Sequence, residues 1–178
     1  MNKSLFILFV IINGMINTNN PSISIENNLV SNENIIINDD QYELQIKIEP
    51  LNNDYNLIIE MKPKKGAHFI SPSEQKSFSG KFHMDLGSYK DVEFINCLAE
   101  IPMSKNEFGP KPKVFGAENV KWIHQNTTYS RILKLKTKED FEVFGRIQFT
   151  IEPRCTFEEI PFAISYKNGK MSLFSPKC

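Results

Sequence analysis

Tyr42, Glu43, Leu44, Gln45, Ile46, Lys47 and Ile48 place an apolar residue at every second position. That two-residue period is the mark of a half-buried β-strand, because successive side chains on an extended chain point to opposite faces. The turn signal Asn52, Asn53, Asp54 follows, and the period resumes at Tyr55, Leu57, Ile59 and Met61. Two alternating runs joined by turn-forming residues predict a hairpin.

The same pattern recurs toward the C-terminus. Strands are expected at Phe82, Met84 and Leu86, at Val92 to Ile95, at Val120 to His124, at Tyr129 to Lys136 and at Arg146 to Ile151. A last pair, Ile160 to Tyr166 and Lys170 to Phe174, is joined by Asn168 and Gly169, the preferred dipeptide of a tight hairpin turn. About eight or nine short strands with no sustained helical period between them point to an all-β antiparallel sandwich. Phe82, Met84, Leu133, Ile147, Phe149, Phe162 and Ile164 are expected in its core. Pro102, Gly109, Pro110 and Pro112 mark one long irregular connection, a kind of segment that often carries binding residues.

Before Tyr42 the pattern is different. Lys3 precedes an apolar run from Leu5 to Ile12, with Asn13, Gly14 and Asn17 behind it, so residues 1–18 read as a secretory signal. The run is too short for a membrane span, which needs about twenty apolar residues. Residues 19–41 are rich in Asn, which competes for local backbone bonds, so they read as a loose leader with at most one short edge strand. Residues 42–178 form the domain. The expected location is periplasmic or secreted, with no attachment to a membrane once the signal is removed.

Composition narrows the function. Lys plus Arg and Asp plus Glu both number 21, so no net field gathers nucleic acid, and no nucleic-acid partner is expected. Phosphate-binding glycine loops, nucleophile elbows and zinc helices are absent. His68, His83 and His124 lie far apart without ligand spacing, and no metal or other cofactor is expected. Glu158 and Glu159 adjoin, yet neighbours on a strand face opposite ways, so they read as solvated charges. Asn126, Thr127 and Thr128 match the N-glycosylation pattern and place a polar turn between two strands. Trp122 is the single tryptophan, against the row of aromatics that a carbohydrate-binding sandwich uses.

The cysteines number three: Cys97, Cys155 and Cys178. In an exported chain an odd count suggests one bridge and one leftover thiol. If the strand ending at Ile151 runs upward, the next descends and the last climbs back, so Cys178 emerges at the edge where Cys155 lies. The expected disulfide is Cys155 to Cys178. Cys97 reads as a small buried apolar residue.

The order of these landmarks resembles the N-terminal periplasmic domain of the thiol:disulfide interchange reductases, the DsbD family, over residues 42 to 174. Gly66, Ala67, His68, Phe69, Ser71 and Pro72 are similar to the family's Gly-Trp-His-x-Tyr-Ser segment. Val120 to Leu135, with Tyr129 in the middle, resembles the paired strands ahead of the active site. Gly145 to Phe149 resembles the glycine-led strand that delivers the first catalytic cysteine, Cys155 falls where the second is expected, and Phe162 matches an aromatic in the next strand. The resemblance implies an immunoglobulin-like β-sandwich. It departs at the chemistry, since the family's couple spans five or six residues and those positions before Cys155 hold Thr150 and Phe149. A dithiol exchange needs a second thiol to resolve the mixed disulfide.

Two roles follow. In one, the chain is a non-catalytic exported sandwich that binds a protein or stabilises an assembly, with an exported or membrane protein as partner. In the other, Cys155 and Cys178 are the redox pair of a thiol:disulfide exchange protein.

Overall fold

The computed structural model describes residues 34–74, 79–104 and 120–176. The expected signal, the first part of the expected leader, most of the proline-rich connection and Cys178 lie outside the described residues.

Among the described residues twelve strands follow one another: β1 (Asn34–Asn38), β2 (Tyr42–Leu51), β3 (Asp54–Pro63), β4 (Phe69–Ile70), β5 (His83–Asp85), β6 (Val92–Phe94), β7 (Ala99–Ile101), β8 (Trp122–Ile123), β9 (Thr127–Leu135), β10 (Phe141–Ile151), β11 (Thr156–Lys167) and β12 (Lys170–Phe174). One sheet has the order β1-β2-β3-β9-β6, with β7 also on β9, and the other has the order β12-β11-β10-β5. All ladders are antiparallel, and β4 pairs with β8 as a small separate sheet. The fold is an all-β antiparallel sandwich of two main sheets.

The two hairpins expected from turn chemistry form as the residues dictate. Leu51 pairs with Asp54 around Asn52, whose φ is 56°. Lys167 pairs with Lys170 around Asn168 and Gly169, with φ of 52° and 77°. In the second turn both central residues have positive φ, which matches the turn twist to the strands, whereas in the first only Asn52 does.

The core lies between the sheets. Leu44, Ile46, Leu57, Ile59 and Met61 from β2 and β3 face Ile147, Phe149, Ile151, Phe162 and Ile164 from β10 and β11, all fully buried. Every residue expected in the core is buried there. Aromatic rings fill its centre: Phe82 stacks on Tyr129 at 4.1 Å, and Phe149 meets Tyr42 edge-on at 5.1 Å. The outer face of β2 and β3 is charged and laced by cross-strand pairs, Lys47 with Glu60 and Lys62 with Glu43.

Three sequence expectations change. The last residues of the leader are the edge strand β1, whose Ile35 is buried in the core, so the sandwich begins at least at Asn34. Strands β4 and β7, two and three residues long, are added by pairing with distant segments. Cys97 is exposed, because it lies in the turn from β6 to β7, outside the packed faces.

Candidate functional site

Antiparallel register gathers the chemically distinctive residues at one end of the sandwich. Tyr42 pairs with Pro63, Met61 with Thr127, Thr128 with Ile101, and Ile151 with Thr156. The β1–β2 turn, the start of β9, the end of β7 and the β10–β11 turn therefore share that end. His68 joins them through backbone bonds with Glu152, 3.1 Å in one direction and 2.9 Å in the other. The segment Gly66 to Pro72 and the turn before Cys155, separate landmarks in sequence, are neighbours in space.

Cys155 sits at the tip of the β10–β11 turn with φ of 55°, the left-handed region that non-glycine residues seldom occupy. Its exposed thiol forms no disulfide among the described residues and donates to Glu152 Oε2 at 2.9 Å. The Glu152 carboxylate, through that bond and its charge, raises the thiol pKa above the ordinary cysteine value. Reactive cysteines are shifted the other way by nearby cations.

A cation is close in sequence but already committed. Arg154 donates to Glu158 Oε1 at 2.7 Å, to Asp39 Oδ1 at 3.1 Å and to Thr156 Oγ1 at 2.9 Å. Asp39 also accepts from the Gln41 amide at 2.9 Å, and this bond leads the causes that hold its carboxyl below the usual range. Tyr42 donates to the other oxygen of Glu158 at 3.2 Å, and burial, then Glu158, pushes its hydroxyl pKa well up. This network bolts the β10–β11 turn of one sheet to the β1–β2 turn of the other. Glu158 is thus a structural partner, not the solvated charge expected, whereas Glu159 turns away to Gln148. Strand alternation separates the pair as anticipated.

His68 and His124, remote in sequence, stand with ring centroids 4.8 Å apart, and Trp122 meets His68 edge-on at 4.8 Å. His83 is elsewhere, on β5 opposite Gln148. Among the described residues no group of three or more His, Cys, Asp or Glu is arranged to hold a metal ion.

Beside this cluster lies an apolar shelf. Ile101 and Met103 are 65% and 77% exposed, the two highest values among the large apolar side chains of the described residues. They flank Pro102, next to a concavity of about 310 Å³ lined by Pro102, Met103, Trp122, Ile123 and His124. Glu100 holds the shelf from beneath. Its buried carboxylate accepts from Ser71 Oγ at 2.6 Å and from the Ser104 amide at 2.7 Å, which pins the chain on both sides of Met103. Burial first, and Glu100 second, drive the Tyr129 hydroxyl pKa far up.

Sequence reasoning named Cys155 and the proline-rich connection but missed Ile101, Met103, Glu100, Arg154 and Asp39. Ala99 to Ile101 is too short to show a period, and nothing local pairs Arg154 with Asp39. Cys178, proposed as the partner of Cys155, lies outside the described residues. Strand β12 does run toward the end that carries Cys155, from Lys170 opposite Lys167 to Phe174 opposite Ala163.

No family model and no curated relative matches the chain. Among solved structures it is similar to the GAE domain of GGA2p from Saccharomyces cerevisiae, at 9% identity and a TM-score of 0.38, over 81% of this chain and 97% of that one.

Proposed function

We propose that the chain is an exported, non-catalytic protein-binding domain, similar to the N-terminal sandwich of the thiol:disulfide interchange reductases but without its redox couple. The observation that carries this reading is the shelf of Ile101 and Met103 beside the 310 Å³ concavity. Large apolar side chains left in water together are costly for a monomer and mark contact surfaces. A volume of that size takes an apolar side chain or two from a partner. The occupant is accordingly a stretch of another protein, anchored by an apolar residue.

Panning a random peptide library on the protein, followed by calorimetry of the enriched peptides, tests this. Peptides with an apolar anchor are expected, and Met103→Ser with Ile101→Ser should weaken them about tenfold or more while melting is unchanged. No enrichment, or binding indifferent to both substitutions, would sink the reading.

The exchange role remains the second reading, favoured by the exposure of Cys155 at a turn tip. Its test is turnover: catalysed reduction of a model disulfide that depends on both Cys155 and Cys178 would put it first.

A further inference from the structure

We propose that β1 is a self-association edge, through which two copies of the chain pair antiparallel about a two-fold axis at Ile36. The inference rests on a surface separate from the Met103 shelf.

Among the described residues strand β1 ends its sheet, pairing only with β2. Its bonding pattern follows from the turn, where the Asp39 amide donates to the Tyr42 carbonyl at 2.9 Å. In an antiparallel ladder hydrogen-bonded pairs alternate with non-bonded ones. The pairs Asp39 with Tyr42, Ile37 with Leu44 and Ile35 with Ile46 are then bonded inward. The backbone groups of Asn34, Ile36 and Asn38 consequently point outward, to the open edge.

The other edges of the described residues carry the usual protections against strand addition, namely charge, proline or shortness. Strand β12 opens on Lys170 and runs out to Pro176, β5 is three residues long with Asp85 at its end, and β6 and β7 are three residues each with Glu93 and Glu100. Strand β1 has none of these. It is Asn34-Ile35-Ile36-Ile37-Asn38, with no charge, no proline and an unbroken register, and its Ile36 is 64% exposed.

The occupant is a second copy because the strand reads the same in both directions. Antiparallel pairing at Ile36 sets Asn34 against Asn38 of the other copy, Ile35 against Ile37, and Ile36 against itself. The outward-pointing backbone groups then meet their counterparts, the buried-side isoleucines continue one inner face, and the two exposed Ile36 side chains cover each other. This is the self-complementary patch that a two-fold interface requires. A slip by one residue is excluded, since it would turn the inner isoleucines outward.

Sedimentation equilibrium of the exported protein, carried to concentrations on the order of 100 µM, is expected to show monomer and dimer. Ile36→Lys puts two like charges on the axis and should weaken the dimer about tenfold or more, with an unchanged melting curve because Ile36 is exposed. Ile36→Cys should yield a dimer linked at position 36 under mild oxidation, mapped by peptide analysis. A chain that stays monomeric over this range, or a dimer that Ile36→Lys leaves intact, overturns the proposal. A monomer that captures unrelated extended peptides at β1 does so as well, and reassigns the edge to a foreign strand.

Discussion

The β10–β11 hairpin has two regions built on different physics. Along its body Val143, Ile147, Phe149, Ile151, Phe162 and Ile164 are wholly removed from water, and Gly145 is a glycine because the Phe162 ring occupies the space its side chain would take. At its turn Arg154 and Cys155 are exposed, and the chain is held by a thiol–carboxylate bond and a guanidinium shared between two acids. Apolar burial contributes kilocalories per side chain, whereas exposed ion pairs contribute little. Stability should therefore reside in the body and chemical character in the turn, so each region can be perturbed with small effect on the other.

The largest expected effect is in the body. Phe149→Ala removes a ring that touches Tyr42, Phe69 and Phe82, and should cost about 3–5 kcal/mol in denaturant unfolding. A loss under about 1 kcal/mol would mean that this face does not carry the fold. Gly145→Ala comes next. An added Cβ would overlap Phe162 Cζ and lie 2.9 Å from the Asp85 carbonyl, and backbone cannot swing aside as a side-chain tip can. A destabilisation of about 1–3 kcal/mol is expected from overpacking, and a neutral result would show that the β5–β10 junction yields easily.

In the turn the effects are on ionisation. Glu152→Gln removes the charge that opposes thiolate formation, so the midpoint of Cys155 alkylation against pH should fall toward the free-cysteine value, with no change in melting. An unmoved midpoint would mean that the bond to Glu152 does not govern the thiol. The smallest effect concerns Asp39. Its folded pKa is depressed below 3.8, so its contribution is complete above the unfolded value and fades as pH drops through the folded one. Acidification below the ordinary aspartate range should shift the Gln41 amide resonance and loosen Arg154, leaving the core signals in place. Loss of core signals together with Gln41 would contradict the separation of the two regions.

What was legible in the chain differs in the same way. The alternation at Tyr42 to Ile48, Tyr55 to Met61 and Arg146 to Ile151 survives intact, because each long strand presents one face to a core and must repeat every second residue. The short edge strand allowed for in the leader could not be placed from sequence or joined to the domain: the three consecutive isoleucines of β1 have no alternation and its flanks are asparagine. Strand β7 escaped because three residues cannot show a period, and the inward Glu100 between Ala99 and Ile101 has no local sign of burial. Cys97 was misplaced because a cysteine carries no pattern of its own, and exposure depends on where the β6–β7 turn lies.

The sequence alone determined that the chain is all-β and antiparallel, which residues fill the core, and where its two-residue turns fall, since those properties depend on side-chain period and on positive φ at Asn and Gly. Only the tertiary structure decided that His68 lies beside His124, that Arg154 reaches Asp39, that Glu152 sits on the Cys155 thiol, and that Ile101 and Met103 stand in solvent over a buried Glu100. Contacts between residues far apart in the chain are set by strand order and register, and neither is written in any local stretch.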